Sequence, residues 1–207
     1  MPILGQNAIP TVLTARMARI REPHVSPLND LADEIADTYG LPRGHVPYVD
    51  PDVGGIHARA LVLLDNPSSQ AEAGTGSGLL SLENNDWTAK NCREAYAKYQ
   101  IDWSDVVHWN VCPFPIAGTK NGGSSAAERA EGARWTRRVV EMLPNLIVVL
   151  PLGNAARDGW RRASIQRANL FDFGGQKIPH CGNRGLNQPG GRDRFEGAIR
   201  EMKRRFG

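Results

Sequence analysis

The chain has 207 residues, 41% hydrophobic and 23% charged, a balance that fits one globular domain with a full core and no need of disulfide or metal staples. No apolar run approaches the roughly 20 residues of a membrane helix, and no charged-then-apolar leader is visible at the start, so neither a membrane-spanning nor a secreted protein is expected. The net charge of +3 is unevenly spread: residues 1–103 carry 8 Lys/Arg against 13 Asp/Glu, and residues 104–207 carry 17 against 9, so the second half has the positive field that a phosphate-binding face needs. Cys92, Cys112 and Cys181 lie far apart with no CxxC pair, which argues against a disulfide framework, a zinc site or an iron–sulfur cluster and for a reducing, cytoplasmic setting.

In chain order, residues 1–25 read as loop with a short helix near Leu13–Ile20. Ser26-Pro27 opens a helix with Ser26 as N-cap, Leu28, Leu31 and Ile35 as its apolar face, and Gly40 and Pro42 beyond its end. Residues 41–56, rich in Pro, Gly and Asp, read as an ordered loop. Residues 57–64 form the first core strand, whose run Leu61-Val62-Leu63-Leu64 is apolar enough to be buried on both faces. Asp65-Asn66-Pro67-Ser68 ends it, because Pro67 cannot donate to a ladder and biases Asn66 away from helix. Gly74-x-Gly76-x-Gly78 follows; lacking the spacing of a phosphate loop, it reads as a segment that permits close backbone approach.

Asn84-Asn85-Asp86 offers caps for a helix to about Gln100, and Asp105–Val111 is a second buried strand ending at Asn110. After a loop over Ala117–Ser125, Ser125-Ala126-Ala127-Glu128 is a capping box for a helix to Leu143. Leu146–Leu150 is the third strand, followed by Gly153-Asn154 and a helix to about Arg162. Short strands are expected at Ala168–Phe173 and Gln176–Ile178, the second delivering His180, and a last helix covers about 191–205. Strands alternating with helices imply an α/β fold with a mostly parallel sheet covered on both sides, as a single domain over 1–207 in which 1–56 elaborates a core of 57–207. In such a sheet the strand exits share one edge, so Asn66, Asn110 and His180 are expected to converge there. Taken singly, each is as well explained as a turn former, a strand-end cap or a loop histidine. His24, His45, His57 and His108 have no such context and read as structural or exposed.

These residues, in this order, resemble the uracil-DNA glycosylase superfamily over about residues 57–187. Asp65-Asn66-Pro67-Ser68 is similar to its first motif in the Asn-Pro form, Trp109-Asn110-Val111 to its base-reading strand end, Leu152-Gly153-Asn154-Ala155 to its third turn, and His180-Cys181-Gly182-Asn183-Arg184-Gly185-Leu186 to its His motif and wedge loop. The resemblance implies a three-layer α/β/α sandwich around a four-stranded parallel sheet. It also implies a monomeric, monofunctional, metal- and cofactor-free enzyme of base excision repair. Such an enzyme hydrolyses the N-glycosidic bond of a flipped-out uracil in DNA and leaves an abasic site.

On that resemblance Asn66 orients the water, with Asp65 as a second candidate for the negative charge, although strand alternation turns Asp65 to the opposite side. His180 donates to the departing base, Asn110 pairs with its edge, and Ser68 and Leu80 border it. Asn154, Gly182 and Asn183 contact DNA, and Arg184 or Leu186 is the wedge. The chain departs from the family pattern in having Cys181-Gly182 where Pro-Ser usually follows the His, Ser68 where an aromatic bars thymine, and no aromatic residue at 79–82, with Trp87 or Trp109 as substitutes. Those departures keep a second class open, a non-catalytic or very slow uracil- or abasic-site-binding protein on the same fold. A small-molecule nucleotide hydrolase is a more remote third.

Overall fold

The computed structural model describes residues 5–68, 71, 73–74, 76–116 and 123–207. Its centre is a four-stranded, all-parallel sheet of β2 (Ala60–Leu64), β4 (Val106–Asn110), β5 (Val148–Pro151) and β6 (Phe171–Asp172), in the order β4-β2-β5-β6. Ala60 to Leu63 are fully buried, as a central parallel strand covered on both faces requires. A separate two-stranded parallel sheet pairs β1 (Tyr48–Val49) with β3 (Leu79–Leu80). It was not legible in the sequence, and it anchors both the 41–56 loop and the glycine-rich stretch. Gly74 and Gly78 have φ of +84° and +73°, and the Gly78 carbonyl accepts the Tyr48 N–H. Those glycines serve a turn into a strand.

Alternation along the strands fixes the two faces. On one side lie α4 (Ala126–Glu141) and α5 (Asn154–Ala163): a Cβ on Gly132 of α4 would stand 1.9 Å from the Val111 carbonyl oxygen, and one on Gly159 of α5 would stand 2.6 Å from the Val111 side chain. Val107, Trp109 and Val111 point to that side. On the other side α3 (Trp87–Lys98) meets His108 through the Tyr96 hydroxyl, and α7 (Gly191–Arg205) packs against β5 and α3. Helix, sheet and helix make a three-layer α/β/α sandwich. The remaining helices are α1 (Pro10–Met17) and α2 (Ser26–Thr38) near the N-terminus and the single-turn α6 (Asn183–Leu186) before α7.

Local chemistry explains most boundaries. Asp86 caps α3 by accepting the Ala89 N–H at 2.8 Å, and the Ser125–Glu128 capping box opens α4. Two expectations need correction. Val25 occupies the N-cap position of α2, with Ser26 already helical and its Oγ 3.3 Å from Asp30. Residues 176–178 form no strand: a turn at Gly174-Gly175 and then Pro179 leave this segment a single ladder-like bond, from the Gly153 N–H to the Ile178 carbonyl. Most of the expected loop over 117–125 lies outside the described residues.

The N-terminal region is wired into the core. The Asn7 amide donates to Asn84, Arg16 pairs with Asp52 at 2.8 Å and lies near the buried Asp50, and Asn29 brackets Val49 from both sides. Together these contacts brace residues 79–84, of which Leu80, Ser81 and Asn84 line a pocket at the strand exits.

Candidate active site

β2 and β4 run in register with Leu64 opposite Asn110. Backbone pairing continues one step past the strands, with Val111 N–H bonded to Leu64 and Cys112 N–H to Asp65. The chain then turns at Asn66-Pro67, so the Asn66 side chain ends beside Asn110 on the α3 face. From β5, the exit at Gly153 (φ +95°) approaches His180 so closely that a Cβ there would lie 3.3 Å from the His180 Cβ. The strand ends thus bring Asn66, Asn110 and His180 to one pocket, which Leu64, Pro67, Ser68, Ala71, Leu80, Ser81, Asp86, Thr88 and His108 also line. Its volume of about 110 Å³ is several times the roughly 30 Å³ share of one water, on the scale of a small ring.

The three convergent groups differ in how firmly they are held. Asn66 donates to the Pro67 carbonyl at 3.1 Å. Asn110 is 2% exposed, yet its amide has no hydrogen-bond partner among the described residues. A buried amide without an internal partner is open to a ligand, since such groups are otherwise satisfied. His180 accepts the Gly182 N–H at Nδ1 (2.9 Å), which places the proton of the neutral ring on Nε2. Desolvation by the surrounding protein lowers the imidazole pKa even though His180 keeps an exposed edge, while the Asp65 and Asp86 carboxylates oppose that shift.

Asp65 does not line the pocket. It lies on the α4 face, where it accepts the Ser124 N–H at 3.0 Å and the Ser124 hydroxyl. That is the outcome strand alternation dictates, and it leaves Asp65 outside the pocket lining, although its charge still acts on His180. The pocket carboxylate is Asp86. One of its oxygens caps α3 and the residue borders the cavity, so a residue legible in the sequence only as a helix cap also brings negative charge to the site.

His108 is the other residue that sequence reasoning missed. The signal was present, since positions 108 and 110 of one strand must share a face. Its Nε2 is 2.8 Å from the Tyr96 hydroxyl, and burial pushes its pKa down to about 4. Neither tryptophan substitutes for a stacking aromatic: Trp109 points to the α4–α5 side with its Nε1 unpartnered, and Trp87 is exposed beneath Lys90.

Of the expected DNA contacts, Asn154 and Arg184 are exposed and Gly182 and Asn183 half-buried at the start of α6. Leu186 is 4% exposed and belongs to the core, because the one turn of α6 directs it inward. The Leu186 side chain is therefore not presented to a partner surface, whereas that of Arg184 is exposed. Cys92 and Cys181 are free thiols whose sulfurs lie 3.5 Å apart, and the Asn91 amide holds the Cys181 carbonyl, tying the His180 segment to α3. Among the described residues no group of three His, Cys, Asp or Glu is placed to hold a metal ion, and no helix is long and apolar enough to cross a membrane. Neither the known protein-family models nor the curated proteins include a match to this chain.

Proposed function

We propose that the protein is a DNA glycosylase that hydrolyses the N-glycosidic bond of a flipped-out uracil. The observation that carries this reading is the convergence of Asn66, Asn110 and His180, with the His180 tautomer set by Gly182 so that Nε2–H is left as a neutral donor. Leaving-group departure puts negative charge on a base oxygen, and a positioned donor in a partly desolvated site stabilises that charge as it develops. Asn66 orients the attacking water, Asn110 pairs with the base edge, and Asp86 supplies negative charge for the cationic sugar. The pocket admits a single ring and not a paired duplex, so the nucleotide must leave the stack before it can react. Exposed Arg184 on α6, four residues after His180, together with the basic second half of the chain, supports DNA as the polymer that presents the base.

One observation favours the alternative of a binding protein with little turnover. No Phe, Tyr or Trp occurs among the described lining residues, so the pocket lacks a stacking contact ordinarily worth about 1–3 kcal/mol per base. Single-turnover release of uracil from a labelled strand containing one U, with His180→Ala in parallel, separates the two. Release that falls about 10²–10³-fold in the variant supports the glycosylase. Retention of the uracil strand without release supports the binder, and neither behaviour overturns both.

A further inference from the structure

The floor of the pocket poses a selectivity problem that Asn110 alone does not solve. A carboxamide is ambidextrous: rotated by half a turn, it offers its oxygen where its N–H₂ had been. Because no described residue holds the Asn110 amide, it can pair with the O4/N3–H edge of uracil or, rotated, with the N4–H₂/N3 edge of cytosine. Selection between oxo and amino bases therefore needs a group of fixed polarity nearby.

His108 is such a group. It precedes Asn110 by two residues on the same face of β4 and borders the same cavity. Tyr96 is fully buried, and the His108 Nε2 at 2.8 Å is the hydrogen-bond partner of its hydroxyl. A buried hydroxyl must place its proton on an acceptor, so Tyr96 donates and Nε2 accepts. In the neutral ring the proton then sits on Nδ1. That nitrogen has no partner among the described residues and is not sealed off, and the cavity is the opening His108 borders. Burial keeps the ring neutral across the physiological range, so its polarity does not reverse with pH.

We propose that His108, locked in one tautomer by Tyr96, determines specificity in this pocket: its Nδ1–H donates to the 4-carbonyl oxygen of the base, and the Asn110 amide rotates to match. The inference rests on the glycosylase reading and names the substrate class of that site, a 4-oxo-pyrimidine. A 4-amino group would set donor against donor in a desolvated space and leave both unsatisfied. Tyr96 is a positioning residue that acts through His108.

The test compares single-turnover release from otherwise identical strands carrying one U or one C, in the wild type, His108→Gln and Tyr96→Phe, alongside ring-nitrogen NMR of His108. Gln keeps hydrogen-bonding capacity but is ambidextrous, and Phe keeps the volume of Tyr96 while freeing the tautomer. The expected result is a proton on Nδ1 in the wild type, a loss of about tenfold or more in the uracil-to-cytosine ratio for His108→Gln, and a smaller loss for Tyr96→Phe accompanied by mixed tautomers. A proton on Nε2 in the wild type, or an unchanged ratio in both variants, overturns the proposal. If the wild type releases neither base, the glycosylase reading fails, and His108 is judged with free bases. A shift of the Nδ1–H resonance by uracil and not by cytosine then supports the proposal, while equal shifts or none overturn it.

Discussion

Gly182 donates its backbone N–H to Nδ1 of His180 at 2.9 Å, so the residue that opens α6 also sets the tautomer of the pocket histidine. Protonation of Nδ1 would turn that contact into two opposed N–H groups. The His180 pKa lies below its ordinary value of 6.5, so the bond persists at neutral pH and is lost only as pH falls through the lowered value. The acid limb of the single-turnover rate is therefore expected to be centred below pH 6.5. An acid limb centred at or above 6.5 would contradict this assignment.

Asp65 and Asp86 should separate stability from chemistry. Asp65→Asn weakens charge-assisted bonds to Ser124 on the face away from the pocket, so it should cost about 1–3 kcal/mol of stability while changing the rate by less than about threefold. Asp86→Asn keeps the cap of α3, since Asn caps as well as Asp, but removes the pocket's negative charge. It should lower the rate about tenfold or more with little change in Tm. Both variants should move the acid limb of the rate profile to lower pH, because the Asp65 and Asp86 charges both raise the His180 pKa, Asp65 the more, so the limb alone does not separate them. Denaturation midpoints and the rates on the plateau above the acid limb check this, and the reverse pattern would return Asp65 to the site.

The sheet and the strand exits were legible in the sequence because long apolar runs ending in Asn-Pro or Asn-x-Cys-Pro leave few alternatives. The long helices were legible from their caps and periodicity, and α7 spans 191–205 as expected. What escaped detection depends on partners far away in the chain. The β1–β3 pair joins two-residue strands 31 positions apart, too short to show any period. His108 becomes a pocket residue only when Tyr96 is placed across from it, and Asp86 becomes the pocket carboxylate only when the start of α3 docks at the strand exits. Leu186 was misjudged because a single helical turn, invisible to an 11-residue window, decides which way it points.

His108 also makes stability depend on pH. Its pKa is about 4 in the fold against 6.5 when exposed, so between those values the unfolded chain binds more protons and stability rises with pH. The contribution is complete above pH 6.5 and lost as pH falls to 4, a span worth about 3 kcal/mol. Urea unfolding at pH 7.5 and pH 5 should show a loss in the wild type that exceeds the loss in His108→Gln by about 2 kcal/mol. Carboxylates with lowered pKa values, such as Glu201 at about 2, act in a more acidic window and leave this difference intact. Equal losses in both proteins would mean that His108 is not held neutral by burial.

Arg184 and Leu186, two positions apart on α6, should give opposite phenotypes. Leu186 is packed in the core, so Leu186→Ala leaves a cavity and should cost about 2–4 kcal/mol of stability without altering the salt dependence of DNA binding. Arg184 is exposed, with no ion pair among the described residues, so Arg184→Ala should leave Tm unchanged. If it meets a phosphate, its removal weakens binding to all sequences alike and reduces the slope of log K against log salt by about one. If it enters the gap left by the flipped base, the slope changes less and the loss falls on the extrahelical complex, so excision from duplex drops more than excision from single strands. Thermal melts with salt titrations on both strand forms distinguish these outcomes, and unchanged binding in Arg184→Ala would remove α6 from the DNA interface.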